Sequence, residues 1–264
     1  MTQKVWLITG ASRGFGHIWA KAALARGDKV AATARKLSAL DELEQAYGDA
    51  FLPLVLDVTD REAVFAAVYL DVVVSNAGFG YMAAIEEAEI DDTRATFETN
   101  VFGTLAVMQA AIPIMRAQGS GHILPVSSVA GLVAMPTSGI YEAAKFAVEG
   151  MAEALAAEVA PFGIHVTIIE PGGYATDFLS GASLKTAPAI AAYDDLRAQL
   201  AAMLTPDSLG KPEASAEAIL KVADAPNPPL RLILGDLLPL VKDVYAQRIQ
   251  TWEEWDDVAR AAKG

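Results

Sequence analysis

The sequence predicts an α/β fold in which helices cover both faces of a parallel sheet. Short apolar runs alternate with helical stretches along the chain, an order that is typical of parallel sheets. Several runs are almost continuous in Val, Ile and Leu, as expected of strands that are buried on both faces. The length of 264 residues fits one large domain or two small ones. We expect one domain, 1–264, built on a doubly wound sheet of seven parallel strands.

The strands are predicted from apolar runs that end at turn residues. They are residues 5–9, 29–34, 51–56, 71–75, 122–126, 164–169 and 230–234. The first run ends at Gly10, and the sixth ends at Pro171-Gly172-Gly173. Both endings interrupt regular structure.

The helices are predicted from helical spacing together with capping and stop residues. They are residues 17–26, 38–47, 61–68, 90–115, 142–160, 214–223 and 241–262. Gly48 stops the second helix, and Thr59 or Asp60 can cap the third. The third helix is very short, because the crossover 57–70 is close to the lower limit of about 10–12 residues for such a unit.

A long segment after the sixth strand matches neither a strand nor the core. Residues 174–204 are rich in Ala, Leu and Met, with helical spacing in the second half. A long connection at this point is usually a lid or a binding loop. We therefore expect residues 175–205 to cover a substrate.

Composition and charge argue against several classes of function. The net charge of −13 disfavours nucleic acids and anionic membranes as partners, because both bind basic patches. The absence of Cys excludes thiol nucleophiles and Cys-ligated zinc. The three His residues lack the spacing of metal ligands, so we interpret them as packing or surface residues. The first residues enter a strand at once, which predicts no signal peptide and a cytoplasmic protein.

A glycine-rich turn joins the first strand to the first helix. It carries Gly10, Gly14 and Gly16, a spacing that differs from the usual G-x-G-x-x-G pattern. Glycines let the backbone approach a pyrophosphate, and the helix end supplies unpaired N–H groups. Turns need glycine for other reasons as well. At this first strand–helix junction, however, the pattern predicts a dinucleotide site.

The end of the second predicted strand indicates which dinucleotide the protein binds. Ala34 stands where many NAD-binding folds have a carboxylate for the ribose 2′-hydroxyl. Arg35 follows it, and Arg13 lies in the glycine loop. Both could bind a 2′-phosphate, because the guanidinium fork matches phosphate oxygens; the alternative is two solvated surface arginines. Asp57, after the third strand, could bind an adenine amino group or be an ordinary loop carboxylate.

The candidate catalytic residues lie between the fifth strand and the helix after it. Tyr141 and Lys145 are four residues apart on a predicted helix, so they share one face. A neighbouring cation stabilises a phenolate and lowers its pKa, which suits acid–base chemistry near neutral pH. Ser128 could hold a substrate oxygen against Tyr141. Alone, the pair could also be an ordinary surface tyrosine and lysine. Asn100, in the middle of a predicted helix, is either solvent-exposed or turned toward the active site.

Taken together, these residues resemble the classical short-chain dehydrogenases/reductases, and within them an NADP-linked branch related to hydroxysteroid and retinol dehydrogenases. The matching motifs occur in the family's order: Thr9-Gly10-x3-Gly14-x-Gly16, Asp57-Val58, Asn76-Ala77-Gly78, Asn100-Val101, Ser128, Tyr141-x3-Lys145 and Pro171-Gly172. The resemblance spans residues 9–172 and implies a single Rossmann fold. Two departures are Ser75, where the family often has Asn, and a segment before Leu70 that is shorter than usual.

The resemblance also implies a role for each matching residue. Tyr141 is the acid/base, Lys145 lowers its pKa and holds the nicotinamide ribose, and Ser128 orients the carbonyl. Asn100 holds a water in the proton relay. The residues implied to bind NADP(H) are Gly10, Ser12, Arg13, Gly14, Phe15, Gly16, Arg35, Asp57, Val58, Asn76, Ala77, Gly78, Tyr141, Lys145, Pro171, Gly172 and Thr176.

The sequence thus predicts an NADP(H)-dependent oxidoreductase that interconverts a secondary alcohol and an apolar ketone. A 3-oxoacyl-thioester reductase is an alternative reaction of the same class. A regulatory protein that senses NADP without turnover is an alternative of another class. From the resemblance we also expect a homodimer or homotetramer, paired through the helices 90–115 and 142–160.

Overall fold

The computed structural model describes residues 3–60, 69–179, 181, 183–203, 205 and 208–263. The strands are β1 Val5–Ile8, β2 Lys29–Ala34, β3 Phe51–Val55, β4 Val72–Ser75, β5 Gly80–Met82, β6 Gly121–Pro125, β7 Ile164–Val166, β8 Ile168–Pro171, β9 Leu184–Thr186 and β10 Arg231–Leu234. The helices are α1 Gly14–Ala25, α2 Asp41–Tyr47, α3 Ile90–Phe97, α4 Thr104–Gln118, α5 Gly139–Val159, α6 Asp194–Met203, α7 Ser215–Asp224, α8 Leu238–Glu254 and α9 Asp256–Ala261. The predicted helix 61–68 lies outside the described residues.

The central sheet is parallel and has six strands in the order β3-β2-β1-β4-β6-β7. Its two faces carry separate cores, because successive side chains of a strand point to opposite faces. In β1, Trp6 packs in one cluster with Trp19 of α1, while Leu7 packs in the other with Met108 of α4. The predicted doubly wound α/β fold is confirmed, and the carboxyl ends of the strands meet along one edge.

The predicted count of seven strands in one sheet needs a correction. The sixth predicted strand is interrupted at Thr167, where the chain changes neighbours: β7 pairs with β6, whereas β8 pairs in parallel with β10. The Thr167 N–H still donates to Ile123 O (3.0 Å), but its hydroxyl donates to Pro229 O (2.6 Å). A single bridge between Val126 and Ile169 joins the β8–β10 pair to the end of β6.

The long predicted helix 90–115 is also interrupted. A π-helical segment, Glu98–Gly103, separates α3 from α4. Gly103 lies so close to the third-strand loop that a Cβ atom on it would come within 2.6 Å of the Val58 Cγ2 atom. Such wide turns within helices often occur at functional sites, and this one carries Asn100.

The segment predicted to be a lid contains β9 and α6 and packs on the chain after β4. Strand β9 pairs in parallel with β5, and Glu87 forms an ion pair with Arg197 of α6 (2.6 Å). The predicted C-terminal helix 241–262 divides at Trp255 into α8 and α9. Among the described residues, the structure contains no helix with the length and apolar character needed to cross a membrane.

Candidate active site

The glycine loop between β1 and α1 packs directly on the loop after β4. Gly10 has a φ of +69°, and a Cβ atom on it would lie 2.8 Å from Ala77 Cα. A Cβ atom on Gly16 would lie 2.6 Å from Asn76 Nδ2. The Asn76 amide donates to the backbone oxygens of Thr9 (3.0 Å) and Gly10 (3.1 Å). Larger residues at either glycine would therefore separate the two loops.

The amino end of α1 has the properties of a phosphate site. Arg13 is its N-cap residue and makes no side-chain capping hydrogen bond, and the first turn, Gly14-Phe15-Gly16, carries no acidic group. The N–H groups of a first turn have no partner within the helix, and the helix dipole favours an anion there. Gly14 has a φ of +57°, and a Cβ atom on it would lie 3.9 Å from its nearest neighbour, the Thr176 Cβ. This open cradle fits a pyrophosphate group.

The side chains around the cradle are partly used for packing. The Phe15 ring stacks on Trp19 (4.9 Å between ring centres) and meets the edge of Tyr174 (5.0 Å). Arg13 Nε donates to Ser183 Oγ in the lid segment (2.9 Å). Ser12 is half-buried in the same loop. Arg13 thus connects the loop to the lid segment, and Phe15 connects it to Tyr174, which directly precedes that segment.

The carboxyl ends of β2 and β3 lie next to each other. Arg35 is exposed there, and its charge contributes to lowering the pKa of Asp57, although the main cause is the hydrogen bond from the Thr59 N–H. Val58 is buried against Gly103. The expected adenosine residues are therefore assembled at one edge of the sheet.

Ser128, Tyr141 and Lys145 are brought together at the ends of β6 and β8. The Ser128 hydroxyl lies beside the Tyr141 phenol and acts to lower its pKa, while Ser128 Oγ donates to Pro171 O (3.2 Å). Lys145 Nζ lies 5.6 Å from the centre of the Tyr141 ring and donates to Val126 O (2.9 Å). The structure thus places the three predicted catalytic side chains next to one another.

Burial determines the protonation of this group. It raises the pKa of Tyr141 above its usual value; the nearby Ser128 hydroxyl opposes this shift and the Glu142 charge adds to it. Burial also lowers the pKa of Lys145 to about 8. Burial thus outweighs the lowering of the Tyr141 pKa that we expected from Lys145.

Asn100 is buried, but its side chain is bound to the backbone. Its Oδ1 accepts from Phe79 N (3.0 Å) and its Nδ2 donates to Phe79 O (2.8 Å). A Cβ atom on Gly78 would lie 2.9 Å from the same Oδ1. The side chain therefore fixes the loop after β4, and the water-binding role implied by the resemblance stays a prediction.

The lid segment reaches Tyr141 through a residue that the sequence did not single out. The Phe178 ring lies 5.6 Å from that of Tyr141. The backbone N–H of Phe178 donates to Thr176 Oγ1 (3.3 Å). Just before the lid segment begins, Gly172 N donates to Leu234 O (3.0 Å). A single Phe within an Ala-rich stretch carries no sequence signal for such a contact.

Two further residues shape the site: Thr9, which was named only as part of the glycine motif, and Glu142, which the sequence did not single out. Thr9 Oγ1 accepts hydrogen bonds from the backbone N–H groups of Asn76 (3.0 Å) and Ala77 (3.1 Å). Glu142 is buried, and its Oε1 accepts from Met135 N (2.7 Å) and Ser138 Oγ (2.8 Å), which anchors the loop before α5. Glu142 directly follows Tyr141 in the sequence, which could have pointed to the site. A charge at that position, however, is also typical of an exposed helix face.

Comparisons with known proteins agree with this geometry. The family model described as short chain dehydrogenase matches residues 4–186. An oxidoreductase from Botryotinia fuckeliana is 41% identical over 88% of this chain and 89% of its own length. A 3-ketodihydrosphingosine reductase from Bacteroides thetaiotaomicron is 35% identical over 94% of this chain and 92% of its own.

Solved structures give the same result. A short-chain dehydrogenase from Streptomyces avermitilis superposes with a TM-score of 0.90 at 37% identity, covering 99% of this chain and 98% of that one. A serine dehydrogenase complexed with NADP+ superposes with a TM-score of 0.75 at 29% identity, covering 87% and 94%. The chain belongs to the short-chain dehydrogenase family of oxidoreductases.

Proposed function

We propose that this protein is an NADP(H)-dependent oxidoreductase that interconverts a secondary alcohol and an apolar ketone. The observation that carries the proposal is the pairing of Tyr141 with the Ser128 hydroxyl beside it, with Lys145 Nζ 5.6 Å from the centre of the tyrosine ring. This pair lies on the same sheet edge as the glycine cradle. A proton donor, an orienting hydroxyl and a cation beside a phosphate-binding loop are the parts that such a reaction needs.

In the reducing direction, Tyr141 gives its phenolic proton to the carbonyl oxygen as the C–H bond forms at the carbonyl carbon. Ser128 donates a hydrogen bond to the same oxygen, which keeps it within reach of the phenol. Lys145 stabilises the phenolate that remains. In the oxidising direction the phenolate takes the alcohol proton. The nicotinamide ring of the bound cofactor would supply or accept the hydride.

Several features support NADP(H) as the cofactor. The neutral Ala34 removes the carboxylate that would repel a 2′-phosphate, and Arg35 is exposed directly after it. Arg13, in the glycine loop, would lie on the other side of the adenosine ribose. The serine dehydrogenase neighbour was solved with NADP+.

Contacts over Tyr141 support an apolar substrate. Phe178 lies against the tyrosine ring, and a Cβ atom on Gly80 would come within 3.0 Å of Phe178 and 2.8 Å of Leu184. These side chains surround the approach to the phenol with hydrocarbon. The sphingosine reductase relative is named for a ketone on a long alkyl chain, and we propose a ketone of comparable apolarity here.

The test is a panel of carbonyl compounds, assayed by NADPH absorbance with the purified protein. The panel contains a steroid ketone, a long-chain alkyl ketone, a 3-oxoacyl thioester and a small polar ketone. We expect kcat/KM for the apolar ketones to exceed that for the small polar ketone at least tenfold. A preference for the thioester would favour the 3-oxoacyl reductase instead.

The role of Tyr141 as proton donor is tested with Tyr141→Phe, which keeps the ring but removes the phenolic proton. We expect kcat to fall by about 10²–10⁴-fold, with NADPH binding, followed by its fluorescence, nearly unchanged. More than about a tenth of the wild-type rate would overturn the assignment of Tyr141. Tight NADPH binding without turnover of any compound would favour the sensor protein. The predicted cytoplasmic location stays a prediction.

A further inference from the structure

A group of carboxylates surrounds one guanidinium beneath the proposed active site. Arg231 of β10 contacts Glu149 Oε2 (3.0 Å) and Glu170 Oε1 (3.4 Å) through its Nε atom, and Glu153 Oε2 (2.6 Å) through a terminal nitrogen. Glu149 and Glu153 come from α5, and Glu170 from β8. Three carboxylates therefore face one positive charge.

Two of these carboxylates are buried and short of donors. The side chain of Glu170 is fully buried and that of Glu149 is 6% exposed, whereas that of Glu153 is 60% exposed. In the described part of the chain, Glu149 Oε1 and both oxygens of Glu170 accept no hydrogen bond. If both groups were ionised, two buried negative charges would share one guanidinium and these oxygens would lack hydrogen bonds, which is costly.

A proton on one of the two groups removes this difficulty. Both carboxyl groups lie against the same Arg231 Nε atom, so they are close together, and protonating one of them makes it a donor toward the other. No group of three His, Cys, Asp or Glu side chains in the described ranges is arranged to hold a metal ion. A shared proton is therefore the simplest way to balance the site.

The cluster touches both elements that carry the catalytic side chains. Glu149 lies one helical turn after Lys145 on the same face of α5, and the Ser127 hydroxyl, which acts to lower the pKa of Glu149, donates to Lys145 O (3.4 Å). Glu170 precedes Pro171, whose carbonyl oxygen accepts the Ser128 hydroxyl. Glu149 and Glu170 thus lie next to the residues that hold Lys145 and Ser128.

We propose that Glu149 and Glu170 share one proton at neutral pH and act as positioning residues that fix Lys145 and set the charge around it. The part of this proposal that concerns Lys145 in catalysis rests on the proposed dehydrogenase function. The shared proton does not, because it follows from the cluster alone.

The electrostatics of the surrounding groups agree with a shared proton. Burial raises the pKa of Glu170 to about 8, with the Glu149 charge adding to the shift and Arg231 opposing it. Burial also raises the pKa of Glu149. The other groups facing the pair are Lys145 and Glu153 of α5, the Ser127 hydroxyl, and Lys242 and Tyr245 of α8, which line the cavity beside Glu170.

The shared proton is tested by infrared spectroscopy of the whole protein labelled with 13C in the Glu carboxyl groups. At pH 6.5 we expect the wild type to show the band of one protonated carboxyl group that Glu170→Gln and Glu149→Gln each lack. Glu153→Gln is the matched control, since it contacts the same arginine but is exposed, and it should keep the band. A wild type in which every Glu is ionised at pH 6.5 would overturn the proposal, and that measurement requires no variant to fold.

The link to Lys145 is tested by the pH profile of kcat/KM for ketone reduction. The Glu149 charge raises the pKa of Lys145, so Glu149→Gln should move the loss of activity at high pH downward by up to about one unit. Glu153→Gln should leave the profile in place. Superimposable profiles for wild type and Glu149→Gln would contradict the role toward Lys145. A wild type that is inactive toward all ketones would instead contradict the proposed function and leave the infrared result to decide the shared proton.

Discussion

Lys145 Nζ donates a 2.9 Å hydrogen bond to Val126 O and lies 5.6 Å from the centre of the Tyr141 ring. The ammonium group is therefore held by the end of β6 and faces the ring of the tyrosine. Only 7% of Lys145 is exposed, so its charge is retained against a considerable desolvation cost. Such a cost is typical of residues kept for function.

We predict that Lys145→Met makes the protein more stable while it abolishes turnover. The pKa of Lys145 is lowered from 10.5 to about 8. Burying the charged group therefore reduces the free energy of unfolding by about 3 kcal/mol. Losing the hydrogen bond to Val126 offsets about 1 kcal/mol. The net gain of about 2 kcal/mol should raise Tm by roughly 5 °C in thermal unfolding at pH 7.

The pH dependence of this gain has a definite sign. Between pH 8 and 10.5 the folded protein holds fewer protons at Lys145 than the unfolded chain, so its stability rises with pH. The advantage of Lys145→Met should thus be full below pH 8 and disappear above about pH 10.5. Lys21→Met, at a lysine whose side chain is 54% exposed, is the control and should change Tm little. A less stable Lys145→Met at pH 7 would contradict the desolvation cost.

The lid segment should be released by changing one buried carboxylate. Glu87 accepts from Ala84 N (2.8 Å), Ile190 N (2.7 Å) and Arg197 (2.6 Å). Glu87→Gln places an amide NH₂ against at least one of these donors. We expect amide hydrogen exchange around residues 187–200 to become at least tenfold faster, and KM for the ketone to rise.

Asp194→Asn is the matched control for this change. Asp194 contacts the same Arg197 (2.8 Å), but its side chain is 64% exposed, and exposed pairs contribute little. Amide hydrogen exchange in the Asp194→Asn variant should match that of the wild type. If Glu87→Gln exchanges no faster than Asp194→Asn, Glu87 does not hold the segment. That bound cofactor and substrate slow exchange in residues 175–205 stays a prediction.

The strand positions could be predicted because their information is local. Strands β1 to β4 and β6 begin and end within one residue of the apolar runs that predicted them. The β5–β9 pair was missed, because three-residue strands show no periodicity and their pairing depends on residues far apart in sequence. The division at Thr167 was missed for a similar reason: its partners, Ile123 and Pro229, come from two other parts of the chain.

The site could be predicted in its composition but not in its electrostatics. The order of motifs was enough to bring Ser128, Tyr141 and Lys145 together. Their pKa shifts depend on burial by side chains such as Phe178, which no motif marks. The buried pair of Glu149 and Glu170 was missed because each is typical of an ordinary surface charge until Arg231 and the tertiary structure place them together.

The proposed homodimer or homotetramer can be tested at a glycine on α5. Gly150 is exposed in the middle of this helix, and a Cβ atom on it would have no neighbour within 4 Å. A mid-helix glycine costs about 0.5–1 kcal/mol relative to Ala, so close approach of a partner helix would account for its presence. We expect Gly150→Leu to give a monomer in light scattering, with Gly150→Ala as the less bulky control. A monomeric wild type at micromolar concentration would refute the association.

The last prediction is that the protein prefers NADP(H) over NAD(H) about a hundredfold in kcat/KM. Arg35 and Arg13 would each donate a charged hydrogen bond to the 2′-phosphate, and such bonds contribute roughly 1.5–3 kcal/mol each before desolvation and screening. About 1.4 kcal/mol corresponds to a factor of ten, so about a hundredfold preference remains after that discount. Side-by-side kinetics with both cofactors at one ionic strength measure it.

The two arginines should contribute unequally. Arg35 is exposed at the end of β2, whereas Arg13 already donates to Ser183 Oγ (2.9 Å) and would have to exchange that contact for the phosphate. Arg35→Ala should therefore reduce the preference more than Arg13→Ala. Lys36→Ala, at the exposed cation next in sequence, is the control for general charge and should change the ratio least. Ala34→Asp combined with Arg35→Ala should shift the preference toward NAD(H), because the new carboxylate repels the 2′-phosphate and can bind the 2′-hydroxyl. Equal use of both cofactors by the wild type, or an unchanged ratio when both arginines are removed, would show that these residues do not bind a 2′-phosphate.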